Sequence, residues 1–282
     1  MTLPPLLVTS LPPRMSRLDT IGEDIGLAYQ QNCIDSWHSA GFDPLSINSI
    51  NEDYPHSVRM IPVWRDTSTM TGRPHVYLED MLTIAATEAK GRPFVLTNAD
   101  LVFPPTAGLT DRVKALRPGE LIISRRIDID SPACYDGIPY HCGFDFFAIH
   151  PNDVFGLSTE MVFGAPWWDH LFPLIMYIRG CKIYQSEATV LHLKHDERWE
   201  WQVWEALGQR FLVEMSINSN NGIYGLRLRK AVERRTGRLV SDLIYNIWRR
   251  LPKHAAGESI RMLHRVSEAN LSFLDEASQH ID

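Results

Sequence analysis

Residues 94–101 read FVLTNADL, an apolar β-like run that stops at Asn98, Ala99 and Asp100 and is followed by Phe103, Pro104 and Pro105. The run predicts a buried strand, and the polar oxygens at its C-terminal tip lie where an open α/β sheet places ligand chemistry. Side chains alternate along an extended chain, so Asn98 and Asp100 are expected on one side. One carboxylate and one neutral oxygen suit a single hard cation, Mg²⁺ or Mn²⁺. An Asx turn that simply terminates the strand would use the same residues.

Working outward, LLVTS at residues 6–10 is a short apolar run with β-branched residues, and LPPR turns the chain after it. Residues 29–40 predict a helix ended by Gly41, and residues 45–48 a second strand. Strand, helix, strand in that order predicts a parallel sheet. Residues 51–73 are polar without a clear period. A helix is expected over 77–89, a short helix over 111–116, and strands over 120–124, 144–149 and 182–193. Trp204, Leu207, Phe211 and Met215 have helical spacing. Beyond them only helices are expected, over 223–235, 239–251 and 258–278. The expected fold class is thus α/β, a mostly parallel Rossmann-like sheet flanked by helices, with a catalytic unit over 1–200 and a helical extension over 201–282.

Composition narrows the class. The 282 residues are 44% hydrophobic with a net charge of −6, ordinary for a globular protein. Prolines at 4, 5, 12 and 13 break any leader-like run near the start, and Pro166, Asp169, His170 and Pro173 interrupt the apolar stretch around 163–178. A cytoplasmic protein is expected. Cys33, Cys134, Cys142 and Cys181 form no CxxC pair, so neither a zinc ribbon nor a dithiol site is suggested, and buried free thiols are expected. Residues 226–265 hold 11 of the 28 Lys and Arg but 3 of the 34 Asp and Glu. The body is therefore acidic and the tail basic, and with no base-stacking motif nucleic acid is not an expected partner.

Three further constellations carry chemistry. In FGAPWWDHLF at 163–172, Asp169 is surrounded by large apolar groups that would raise its proton affinity, as a general base requires, and Trp167 and Trp168 could wall a sugar ring. A helix N-cap at Asp169 with both tryptophans in the core fits the same residues. In LHLKHD at 191–196, His192 and His195 are candidate metal ligands, but positions three apart fall on opposite faces of a strand, so joint ligation requires a turn between them. In SRRIDID at 124–130, Arg125 or Arg126 could pair with phosphate oxygens while Asp128 or Asp130 orients them or holds hydroxyls. Asp145 is a carboxylate within the aromatic run GFDFF and needs a partner.

The order of these pieces, LLVTSLPPR, TNAD, GFDFF, APWWD and a histidine-bearing strand end, resembles GT-A type glycosyltransferases of the nucleotide-diphospho-sugar transferase superfamily, over roughly residues 3–199. The resemblance implies that the first strand and its loop hold the nucleotide through Thr9, Ser10 and Arg14. It implies that Asn98-Ala99-Asp100 stands where the family's DxD element binds metal and diphosphate, with one of the two carboxylates missing. Arg125 or Arg126 would then help to neutralise the diphosphate. Asp169 corresponds by order to the base of inverting members, and His192 or His195 to a late metal ligand; from the residues themselves, Asp145, Trp167 and Trp168 are the expected acceptor contacts.

The implied activity is sugar transfer from a nucleoside-diphosphate-sugar donor to a hydroxyl of a glycan or lipid-linked acceptor, with Mn²⁺ or Mg²⁺ as cofactor. A related nucleotidyltransferase is disfavoured by the lack of a Gly-rich phosphate loop with a following lysine near the first strand. A non-catalytic glycan-binding or scaffold protein is the rival of a different class. Arg227, Arg229, Lys230, Arg234, Arg235, Arg249 and Arg250, interleaved with Leu226, Leu228, Val232, Ile244, Ile247 and Trp248, have a composition that can lie on an anionic membrane surface. A solvated helical appendage or a subunit interface has the same composition.

Overall fold

The computed structural model describes residues 3–19, 21–104, 108–195, 199–220, 222–237 and 256–281. The first strand β1 (Leu6–Thr9) is wholly buried, and helix α1 (Gly26–Ser39) returns the chain to β2 (Asp43–Ser49). Strand β3 (Arg59–Val63) follows in the segment where no period is readable. Among the described residues it is an edge strand paired only with β2, so most of its residues are at least partly exposed, and Pro62 is tolerated there. Helices α2 (Ser68–Thr71) and α3 (Leu78–Ala89) lead to β4 (Phe94–Thr97), the strand of the FVLT run.

Next come β5 (Leu101–Val102), α4 (Leu109–Ala115), β6 (Glu120–Ile129), β7 (Ile138–Pro139) and β8 (Phe146–Ile149). Helices α5 (Pro151–Val154) and α6 (Trp168–Ile178) precede β9 (Lys182–Leu193). Strand β6 runs five residues past its expected end, because a register shift between Ser124 and Arg126 lets it stay paired with β9 through the charged stretch.

The sheet order is β9-β6-β8-β4-β1-β2-β3, and every neighbouring pair on this path is parallel except the two made by β8. The fold is thus a mixed α/β sheet, mostly parallel, flanked by helices. Reversal of β8 has a direct consequence. The C-terminal ends of β1, β4, β6 and β9 meet the N-terminal start of β8 at one edge of the sheet.

Alternation along the strands divides the core between two faces. Leu6, Val8, Leu96, Ile123 and Phe147 face α3, α6 and the C-terminal helices, whereas Leu7, Val95, Ile122 and Phe146 face α1 and α4. Phe147, fully buried at the centre, packs edge-on against Trp168 and Phe172 at centroid distances of 5.2 and 5.3 Å.

Helices α7 (Trp201–Ser219), α8 (Gly222–Thr236) and α9 (Ala256–Ala277) continue the first of these cores through Leu207, Phe211, Leu228, Val232, Leu263 and Leu274. The expectation of helices alone beyond Met215 is corrected at the end of the chain. Residues Gln279–Ile281 form β10, parallel to β9, and extend the sheet. Three residues with one strand partner leave no periodic trace in a sequence.

On α8, Leu228 and Val232 are fully buried against the body of the protein and are not available to a membrane. Arg229 pairs with Glu233, and Arg235 with Glu276. The helix expected over 239–251, with Arg249 and Arg250, lies outside the described residues. Among the described residues no helix is long and apolar enough to cross a membrane. Of the cysteines, Cys33 and Cys181 are buried as expected, while Cys134 and Cys142 are exposed.

Replacing Phe147 by Ala removes the ring that Trp168 and Phe172 pack on. Denaturant unfolding of Phe147→Ala is expected to show a loss of about 3–5 kcal/mol.

Candidate active site

The site forms at the edge where the strand ends converge. Past Thr97 the chain leaves the extended state, so alternation no longer governs residues 98–100, and Asn98 and Asp100 take different partners. The Asn98 amide donates to Asp145 Oδ1 at 2.7 Å. Asp100 instead turns towards the end of β9. Its Oδ2 lies 3.2 Å from His192 Nε2 and 3.6 Å from His195 Nε2.

Both histidines reach it because β9 ends at Leu193 and the chain bends, leaving the two imidazoles 5.0 Å apart between ring centres. The loop is pinned from α1: the Tyr29 hydroxyl donates to the Asp100 carbonyl at 3.0 Å and accepts from the Leu193 amide at 2.8 Å. Trp37 Nε1 donates to the Leu101 carbonyl at 2.8 Å.

Ligand atoms of Asp100, His192 and His195 all lie within 4.8 Å of one another, which makes them a candidate metal-binding group. The donor set fits a first-row divalent cation. Oxygen and nitrogen atoms that share such an ion at about 2.1 Å sit roughly 3 Å apart, near the separations seen here. His192 also has the outer partner expected of a ligating imidazole, since its Nδ1 lies 2.9 Å from Asp128 Oδ1. With that Nδ1 as the proton donor, a neutral His192 would offer its Nε2 lone pair to a cation shared with Asp100. Two imidazoles with one carboxylate favour a cation such as Mn²⁺ over Mg²⁺, which prefers oxygen.

Charge compensation extends outward. Burial alone would raise the Asp100 carboxyl, but His192, His195 and the Arg17 guanidinium outweigh it and hold the group well below the usual carboxylate range. Arg17 Nη2 is 2.6 Å from Asp100 Oδ2. Asp128 Oδ1 also accepts from Arg126 Nε at 2.8 Å, and Arg126 Nη1 reaches Asp145 Oδ1 at 3.1 Å. The Arg126 guanidinium lies over the Tyr140 ring, 3.9 Å from its centre. Asp145 Oδ2 is buried without a hydrogen-bond partner among the described residues.

Asp169, in the first turn of α6, stands beside this network and feels the charge of Asp145. Desolvation raises its pKa against the opposing pull of His170, with Asp145 adding to the rise. The backbone before it is strained, since Trp167 adopts a left-handed φ of 80°. The loop from Tyr140 to Gly143 closes over the carboxylate, and a Cβ on Gly143 would come within 2.3 Å of Asp169 Oδ2. His170 fixes that loop by bonding the Cys142 carbonyl at 2.9 Å, with Ser267 of α9 on its other nitrogen.

The structure therefore brings Asn98, Asp100, Arg126, Asp145, His192 and His195 together, with Asp169 adjoining. Arg125 is not among them. The bulge in β6 turns it to a two-bond ion pair with Asp275 of α9, at 2.9 and 3.0 Å. Arg14 is exposed and paired with Asp24 at 3.0 Å. Thr9, at the tip of β1, is buried and its hydroxyl has no partner among the described residues, whereas Ser10 is half-buried.

Trp167 and Trp168 are 5% and 2% exposed, so the expected sugar walls are core residues. Trp167 packs on Trp204 and Phe211, and Trp168 on Phe147 and Phe163. Their apolar area is better used inside than against a solvated ring. Arg17, Tyr29 and Tyr140 escape sequence reasoning. Each touches the site through contacts far along the chain, and no local spacing marks them.

No protein-family model matches the chain, and no curated protein matches it. Among solved structures, mannosyltransferase PcManGT from Pyrobaculum calidifontis, in complex with GDP-Man and Mn²⁺, is 11% identical with a TM-score of 0.48, over 98% of this chain and 88% of its own. HddC from Yersinia pseudotuberculosis, complexed with GMP-PN, is 12% identical with a TM-score of 0.33, over 56% of this chain and 81% of its own. Likenesses this distant carry no argument about function, which rests on the chain's own residues.

Asp128→Asn removes the carboxylate that orients His192. Titration calorimetry with Mn²⁺ is expected to show affinity reduced by about 10–100-fold.

Proposed function

We propose that the protein is a glycosyltransferase that moves a sugar from a nucleoside-diphosphate-sugar donor to a hydroxyl of a glycan or lipid-linked acceptor. The observation that carries this reading is the grouping of Asp100, His192 and His195 at the tips of β4 and β9, with the raised-pKa carboxylate of Asp169 beside the same network. A divalent cation held by those three residues would supply charge neutralisation for the leaving diphosphate.

The chain's own groups divide the remaining work. Asp145 Oδ2, buried and unpartnered among the described residues, is suited to accept a hydrogen bond from a sugar hydroxyl, and Arg126 holds Asp145 and Asp128 in place. Asp169 accepts the proton of the acceptor hydroxyl, favouring inversion at the anomeric carbon. Its desolvation suits that role, because a base with raised proton affinity is a stronger one. Thr9 and Ser10, at the tip of β1, are the proposed nucleotide contacts.

A thermal-shift panel of nucleoside diphosphates and nucleotide sugars with Mn²⁺, Mg²⁺ or chelator tests the donor site. At about a hundred times its dissociation constant a ligand stabilises by roughly 2.7 kcal/mol. The expected result is a metal-dependent shift with one nucleotide that Asp100→Ala abolishes; no shift with any nucleotide overturns the reading.

Asp169→Asn is expected to keep donor binding and lose turnover by about 10²–10⁴-fold. A base works only when deprotonated, so kcat/KM of the unaltered enzyme should rise with pH through an acid limb lying above that of an ordinary Asp carboxyl. That limb should be absent from the residual activity of Asp169→Asn, and unchanged turnover would remove Asp169 from the mechanism.

A further inference from the structure

Arg17 Nη2 approaches Asp100 Oδ2 at 2.6 Å, the same oxygen that His192 and His195 approach. A dication shared by those three side chains would stand against the guanidinium in a setting with little water, since the Arg17 side chain is 10% exposed and that of Asp100 20%. Two positive groups claiming one carboxylate oxygen repel strongly where screening is poor.

The backbone of Arg17 is held in place independently of that contact. Its carbonyl accepts from the Ile25 amide at 2.8 Å, and its amide donates to Asp24 Oδ1 at 3.3 Å. Gly26 presses so closely on Met15 that a Cβ there would lie 2.0 Å from the Met15 carbonyl oxygen. Any exchange of partners at Arg17 is thus confined to its side chain.

The guanidinium is also incompletely used. Nη1 donates to the Ser16 carbonyl at 2.9 Å and Nη2 to Asp100, but Nε is buried with no partner among the described residues. A planar fork with an unused donor matches a phosphate better than a single carboxylate oxygen.

We propose that Arg17 and a divalent cation compete for Asp100, and that the displaced guanidinium becomes a binding partner of the diphosphate. The inference rests on the metal reading of Asp100, His192 and His195. It makes Arg17 a residue with two opposed effects, weakening cation binding alone and strengthening pyrophosphate binding once the cation is present. A merely structural role would not produce opposite signs.

Titration calorimetry on the full chain tests it, with Mn²⁺ alone and then inorganic pyrophosphate added to Mn²⁺-saturated protein. Arg17→Gln removes the charge, Arg17→Met keeps the aliphatic stem as a second variant, and Asp100→Asn is the control for the metal site. Both Arg17 variants are expected to bind Mn²⁺ more tightly than wild type, by a factor within the roughly 5–150-fold range of coupled sites. Loaded with Mn²⁺, both should bind pyrophosphate more weakly than wild type.

Mn²⁺ affinity equal to or below wild type in the Arg17 variants, with Asp100→Asn still abolishing it, overturns the competition and leaves the metal reading standing. Unchanged pyrophosphate affinity overturns the exchange of partners. No Mn²⁺ binding by wild type or by either Arg17 variant overturns the metal reading itself.

Discussion

A carboxylate at the tip of a buried strand must be compensated, and the Asp100 side chain is the constraint around which this edge of the sheet is organised. A buried charge without partners costs several kcal/mol, so groups from distant parts of the chain converge on it. His192 and His195 come from the end of β9, Arg17 from the loop before α1, and Tyr29 holds the Asp100 backbone from within α1. The charges alternate outward from there. Asp128 balances His192, Arg126 balances Asp128 and Asp145, and Asn98 completes the chain back to the β4 tip.

Reversal of one strand makes that network continuous. Between β4 and β6 the sheet inserts β8 in the opposite sense, so the residue that precedes it, Asp145, emerges at the edge where its neighbours end. Had β8 been parallel, Asp145 would sit at the far side of the sheet and Arg126 would lack its second acid. The same reversal places the segment before β8 at that edge, where the loop from Tyr140 to Gly143 meets Asp169 at the start of α6.

The C-terminal helices are tied to this arrangement. Arg125, one residue from the network, points to Asp275 of α9, and Ser267 of the same helix bonds His170 next to Asp169. With β10 added to the sheet beside β9, the C-terminal segment braces the β9 side of the sheet through both helix and strand.

What the sequence by itself determined was local: a strand–helix–strand beginning, a strand ending in Asn98 and Asp100, a carboxylate at Asp169 amid apolar residues, and histidines at the end of the last long strand. Periodicity and abrupt changes of polarity are properties of neighbouring residues, so they survive without coordinates. Only the tertiary structure decided who shares the site. Arg17 and Asp100 are 83 residues apart, and no spacing rule joins them. His195 joins His192 because the chain bends after Leu193, and Arg125 leaves because a bulge in β6 turns it away. Trp167 goes to the core because α7 packs on it and Trp168 because Phe147 of β8 and Phe163 do, and β3 and β10 exist because an edge strand draws its stability from one long-range pairing rather than from its own pattern.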